Sequence, residues 1–419
     1  MHAMNYKIGV LGLGLLSGLA ACNAGSGGTQ GGSDVDSSSL APVETRAANT
    51  NYQPAFSGQT RIAGMKTSTA LDIQVINDAL EQPWAITTLP DGRFLITQNK
   101  GTMVILKPDG SLDKTITGLP QVEPAGQGGL LDVTPAPDFA SSRMIFWGFS
   151  EAQASGGMLH AIAKGRLSDA ETSIENIEVI YRATPAHTGT LQYGGRIVFD
   201  PAGNLFVSLG ERSDAEIRVQ AQDLNSALGK IIHIDQEGNP VPDGPFSNTE
   251  NARPEIYAYG FRNPDGLAIH PETGDLWEAE FGPQGGDELN RIQSGKNYGW
   301  PVITYGQEYS GEQVGEGIQQ KEGMEQPVYY WDPVISPGGM TFYEGDLIPE
   351  WKGNLFIGGL SGQHIARLKI ENNKVVGEER LLEGKEERFR ALTTGADGAL
   401  YAVTDGGNLY RIGKQEGDQ

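Results

Sequence analysis

Apolar and polar positions alternate in short runs through most of the chain, and one unit recurs. A small turn containing Pro, Asp, Gly or Asn is followed by an alternating strand. The unit reads LPDGRFLITQ from Leu89, APDFASSRMIFWGF from Ala136 and DPAGNLFVSLGE from Asp200. It returns as HPETGDLWEAEFG from His270, WKGNLFIGG from Trp351 and GADGALYAVTDG from Gly395. The turn residues supply tight or left-handed geometry, and period-two alternation marks a half-buried strand. Sheets repeated in this way pack radially, so six copies predict an all-β fold, a six-bladed β-propeller. LDIQVINDALEQPWAI, from Leu71, precedes the first copy and is expected to complete a blade with the C-terminal GNLYRIG. Helical periodicity is scarce, and residues 221–228 read as a short helix or loop. The plainer alternative is a sandwich with coincidental turns, but six near-superimposable units argue against it.

The first residues break this pattern. Lys7, an apolar run from Ile8 to Leu19 and a small-residue exit read as a secretory leader. The run is too short and glycine-rich for a membrane span. Leu19-Ala20-Ala21-Cys22 has the form of a lipobox, which assigns residues 1–21 to a lipoprotein signal and Cys22 to lipidation. An ordinary signal peptide followed by an incidental cysteine is the alternative. Cys22 is the only cysteine, so no disulfide forms within one molecule. Residues 22–69 are rich in Gly, Ser and Asn and are expected to be a flexible tether. The propeller then occupies 70–413, with a tail at 414–419. This organisation predicts a bacterial cell-envelope protein, lipid-anchored and facing the periplasm. Asn23, rather than Asp, after the cysteine favours the outer membrane. A net charge of −22 argues against nucleic acid as a partner.

In a propeller, ligands sit over the channel on loops held by rigid blades. The glycine-rich inserts are therefore where chemistry is expected: PAGQGGLLD around Gln127, YGFRNPDG around Arg262, EFGPQGGDELN around Gly282 and GKNYGWP from Gly295. EERFRAL places Arg388 and Arg390 two apart, on one face of a strand. With Arg262 they form a cationic spot suited to carboxylates. A surface ion pair is the structural alternative for each. Asp132, Asp287 and Glu288 read as turn residues. His160 and His233, in strand-like runs, read as structural, and no His/Cys cluster suggests zinc.

As a set, GQGGLLD, FRNPDG, FGPQGGDELN with KNYGWP, and EQPVYYW resemble the soluble quinoprotein aldose (glucose/sorbosone) dehydrogenases, from about Leu80 to Ile412. The resemblance implies a propeller that carries pyrroloquinoline quinone (PQQ) and calcium. It further implies oxidation of the anomeric hydroxyl of an aldose to a lactone, with electrons passed to an external acceptor. It implies that Gln127, Arg262, Asn263, Arg388 and Arg390 contact PQQ, and that the carbonyls of Gly282 and Pro283 hold calcium. Three Arg side chains suit a tricarboxylate, and a hard, oxygen-ligated cation suits a quinone oxygen.

Two positions depart from the family pattern. Gln192 stands where the family has a catalytic histidine, with Leu191 before it, and Ser361 replaces a lysine that touches the cofactor. Glutamine is no general base near neutral pH, and a positioned base is worth roughly 10²–10⁴-fold in rate. His187, on the same loop, and His364 are the candidate replacements; an exposed loop histidine is the alternative for His187. A substrate proton lost directly to water is a further possibility. A non-catalytic PQQ- or sugar-binding propeller is the second functional reading. A lactone hydrolase is a third, but nothing in the sequence spells out its metal site.

Overall fold

The computed structural model describes residues 40–416. Six four-stranded antiparallel sheets form the blades. In each, the strand nearest the axis comes first in the chain: Pro83–Thr88, Leu130–Pro135, Gly194–Phe199, Pro264–Ile269, Pro337–Phe342 and Phe389–Thr394. Only the sixth blade borrows: Leu71–Asn77 pairs with Leu409–Lys414, so the start and end of the propeller share one sheet. That is the closure expected from LDIQVIN and GNLYRIG, while PWAI begins the first blade. All six turn units sit at or just beyond the first strand of their blade and lead into the second. Residues 221–228 contribute only the end of a 3₁₀ turn, Arg218–Gln222, and a loop.

Blade faces bury the alternating apolar residues in clusters between neighbouring sheets, such as Trp84, Leu95, Leu131 and Trp147 between the first and second blades. Every innermost strand shifts register against its neighbour in its first half. The residues at the shifts are Trp84, Leu131 and Asp132, Gly195 and Arg196, Asp265, Gly338 and Gly339, and Arg390. A bulge bends its strand and re-aims a side chain. Here it brings these residues together at the axis.

Residues 40–69 correct the expected tether. They form a strap against the fourth and fifth blades. Leu40 bridges Gly64, and Gly64 bridges Glu378 on the outermost strand of blade five. Asp332 accepts from the backbone N–H of Asn49 (2.7 Å) and Thr50 (3.0 Å), and Glu379 accepts from that of Thr67 (2.6 Å). Glu44 pairs with Arg380 at 2.8 Å, and Gln59 is fully buried. A polar segment folds here because its donors meet buried carboxylates and an open sheet edge, contacts that composition alone does not reveal. The proposed leader, Cys22 and the first part of the tether lie outside the described residues, and no helix among the described residues is long and apolar enough to cross a membrane.

Candidate active site

The segments entering five innermost strands converge on a cavity of 360 Å³ over the channel. It is lined by Gln127, Tyr193, Asn263, Asp265, Arg388, Arg390 and Asp405, among others. Four of the five residues expected to contact a cofactor are thus brought together. The fifth, Arg262, points into the adjoining space beside Gly282 and Trp300.

The two amides have their orientations set by the backbone. Gln127 Oε1 accepts the N–H of Gln192 at 2.7 Å, and Asn263 Oδ1 accepts that of Gly194 at 3.0 Å. Their NH₂ groups donate to no protein atom among the described residues, so two fixed donors remain for a ligand rich in acceptor oxygens.

Arg388 and Arg390 do share a face, but they are not free cations. Both bind Asp405: Arg388 Nε at 2.8 Å to Oδ2, and Arg390 Nε at 2.8 Å to Oδ1. Burial opposes ionisation of Asp405, but Arg390 and Arg388 outweigh it and hold the carboxyl below its ordinary range. Arg390 also lies 3.4 Å from Asp265 Oδ2. On the far side, Arg196 donates to the Asp265 carbonyl (2.7 Å), pairs with Asp132 (3.4 Å) and stacks over Trp84 (4.1 Å). The axis therefore carries a ladder of alternating charge, and the expected cationic spot is largely neutralised within the protein. The two ends of Arg388 differ: its Nε is paired, while its NH₂ groups have no partner among the described residues and the side chain is 47% exposed.

The GPQGG loop is shaped by Asp287, which is buried in the strand Asp287–Ile292 rather than capping a turn. Its carboxylate accepts the N–H groups of Gly282, Ile335 and Ser336, each at 2.7 Å. Gly282 tolerates no side chain, since a Cβ would stand 2.3 Å from the Gly285 carbonyl. The Gly282 carbonyl accepts from Arg262 at 2.7 Å, so positive charge already sits at this oxygen; the Pro283 carbonyl accepts no hydrogen bond among the described residues. Glu280, Glu278 and Glu288 are buried nearby. Burial pushes Glu280 up to about 8, against the N–H and charge of Arg262.

Gln192 is 4% exposed, has φ +53°, and leaves its Oε1 without a partner. His187 lies outside the cavity lining and pairs with Asp214 at 2.5 Å. His364 is buried, bonded to the Gly362 carbonyl (2.7 Å) and driven down to about 3 by burial. Ser361 bonds Ser336 at 2.7 Å, one residue from the cavity-lining Leu360. His160 is buried and likewise driven to about 3 by burial, while His233 pairs with Asp200 and stacks on Phe206. Asp132 is buried in a strand, where it accepts the N–H of Ile197 at 2.8 Å.

Sequence reasoning missed three groups. Asp265 lay inside a quoted motif, FRNPDG, but only its place at a bulge makes it axial. Asp405 meets its arginines across a sheet. Arg212 holds the Gln192 loop: it donates to the carbonyls of Leu191 (3.1 Å), Met158 (2.8 Å) and Gly189 (2.5 Å) and stacks on Tyr193. An arginine directly after the strand-ending LGE was the available signal.

Six blades that seat amide donors and ion-paired arginines over the channel are shared with the propeller oxidoreductases that act on sugars, the class in which its sequence and structural relatives place this fold. The chain belongs to the glucose/sorbosone dehydrogenase family, whose model matches residues 80–411, and it is a sugar dehydrogenase. It is 40% identical to aldose sugar dehydrogenase YliI of Escherichia coli (strain K12) over 346 residues, 82% of this chain and 92% of that protein. It is 25% identical to quinoprotein glucose dehydrogenase B of Acinetobacter calcoaceticus, covering 81% and 87%. Among solved structures, the apo-form of the soluble E. coli aldose sugar dehydrogenase matches with TM-score 0.79 and 39% identity, over 83% of this chain and all of that one. The PQQ-bound aldose sugar dehydrogenase of Streptomyces coelicolor matches with TM-score 0.68 and 27% identity, over 84% of this chain and all of that one.

Proposed function

We propose that this enzyme oxidises the anomeric hydroxyl of an aldose to a lactone with PQQ and calcium, and passes the electrons to an external acceptor. The orientation of Gln127 and Asn263 supports this reading most directly: both amide oxygens are claimed by backbone N–H groups, and both NH₂ groups are left for acceptor oxygens. PQQ offers three carboxylates and a quinone, and the cavity volume lies in the range of small-cofactor sites. Gln127, Asn263, Arg388 and Arg390 would hold it, with Arg262 alongside. Pro283 would offer calcium a carbonyl oxygen free of hydrogen bonds among the described residues, and Gly282 one shared with Arg262; the carboxyls behind them, raised by burial, would ionise as the cation arrives. When bound, PQQ supplies a two-electron acceptor for hydride.

The protein's own part is binding, orientation and exclusion of water. Arg388 meets incoming carboxylates with its unpaired NH₂ groups. Arg212 and Tyr193 keep the Gln192 loop in one conformation over the cavity. His187, held by Asp214 outside the cavity lining, is the imidazole on the same loop proposed to receive the sugar proton through a water rather than by direct contact, and Gln192 would orient the hydroxyl. The proposed cellular setting is the periplasmic side of the envelope, anchored through Cys22.

Titration of the apo-protein with PQQ in calcium chloride should give a saturable change in absorbance, and an aldose should then bleach a redox dye. Binding without bleaching would support the second reading, a binding propeller, which the buried Gln192 at the expected histidine position favours. His187→Ala should lower turnover sharply while leaving PQQ uptake intact; an unchanged rate would remove His187 from the mechanism.

A further inference from the structure

Asp265 has no part in the chemistry above, yet it is the one cavity-lining carboxylate not saturated by arginine. Oδ2 makes a single long contact with Arg390, and Oδ1 accepts no hydrogen bond among the described residues. The residue is 5% exposed and lines the cavity. The charged groups facing it are Arg390 and Asp405 on one side and Arg196 and Asp132 on the other. Arg390 is committed twice over to Asp405, and Arg196 to Asp132 and to carbonyls.

Resting on the PQQ reading, we propose that Asp265 takes up a proton as the anionic cofactor enters, and donates the resulting O–H to one of its oxygens. Two acceptor oxygens facing each other in a water-poor site need a proton between them, and an arriving carboxylate raises the pKa of a neighbouring one. Burial pushes Asp265 up to about 6, with Arg390 and Arg196 pulling it down and Asp405 and Asp132 pushing it up. A bound anion moves it higher. By linkage, the cofactor binds more weakly as pH rises above 6, approaching a tenfold change per pH unit until the bound-state pKa is passed.

The test measures PQQ binding to the full apo-protein in calcium chloride by absorbance, from pH 5.5 to 8.5, for the wild type and Asp265→Asn. The wild-type dissociation constant is expected to rise on the order of tenfold per unit above pH 6. Asp265→Asn should flatten the profile and bind more tightly than the wild type at pH 8. Calorimetry of the wild type in two buffers of different ionisation enthalpy, at pH 7.5, should report uptake of about one proton; this arm needs no variant and stands if Asp265→Asn does not fold. Glu280 and Asp287, pushed by burial up to about 8 and about 7, titrate in the same window but sit against Arg262 and Gly282. A slope retained in Asp265→Asn would assign the proton to them and overturn the proposal, as would zero proton uptake in calorimetry. Absence of saturable binding at every pH would instead overturn the cofactor reading itself.

Discussion

Single side chains decide whether this cavity is a catalyst or a receptor. Gln192 is packed like a working residue, with a strained backbone and an acceptor oxygen left unsatisfied. Its site already has the enclosure that a base requires but lacks a titratable group. Gln192→His is therefore expected to raise dye-linked aldose turnover on the order of 10²-fold, the usual worth of a positioned base; steady-state kinetics at constant PQQ occupancy checks it. Arg212 acts one step back, as a positioning residue. Arg212→Ala orphans three carbonyls and should destabilise the fold by about 3 kcal/mol, read by urea unfolding. Arg212→Lys, which restores charge without the planar fork, should recover only part of that. Gln127, Asn263, Arg388 and Arg390 were legible in the sequence because each lies in a local motif. Asp405 was not, because its role is defined by two arginines 15 and 17 residues away on a neighbouring strand.

Strands carry a regularity that the turn units only hinted at. Those units were readable because a hairpin turn is specified by its own few residues. The register shifts are set by contacts across blades, so they left no local mark beyond an occasional glycine pair. Gly338 shows the constraint: a Cβ there would lie 2.7 Å from the Arg390 carbonyl. Gly338→Ala should cost about 1–3 kcal/mol through overpacking. It should also weaken PQQ uptake by displacing Arg390, whereas Gly353→Ala, which meets no neighbouring atom but is strained by its φ of +71°, should cost stability while leaving uptake unchanged. The strap escaped sequence reasoning for a related reason, since its partners Asp332 and Glu379 lie 282–312 residues away.

Across the molecule, buried carboxylates set the response to pH. Burial pushes Glu211 up to about 7 and Glu280 to about 8, and raises Glu278 and Glu288 as well. In the unfolded chain such groups ionise near 4.3, so between about pH 5 and 8 the native state binds more protons than the unfolded state. Stability is therefore present at low pH and lost as pH rises through these values. The urea midpoint is expected to fall steadily from pH 5.5 to 8.5, and a rising midpoint would contradict the protonated cluster. The strap has a mechanical consequence. Tension applied from the amino-terminal side must first peel residues 40–69 away from Glu378, Asp332 and Glu379, before it reaches Leu71–Asn77. The seam that closes the ring is thus the second element, not the first, to feel a pull on the chain's front end.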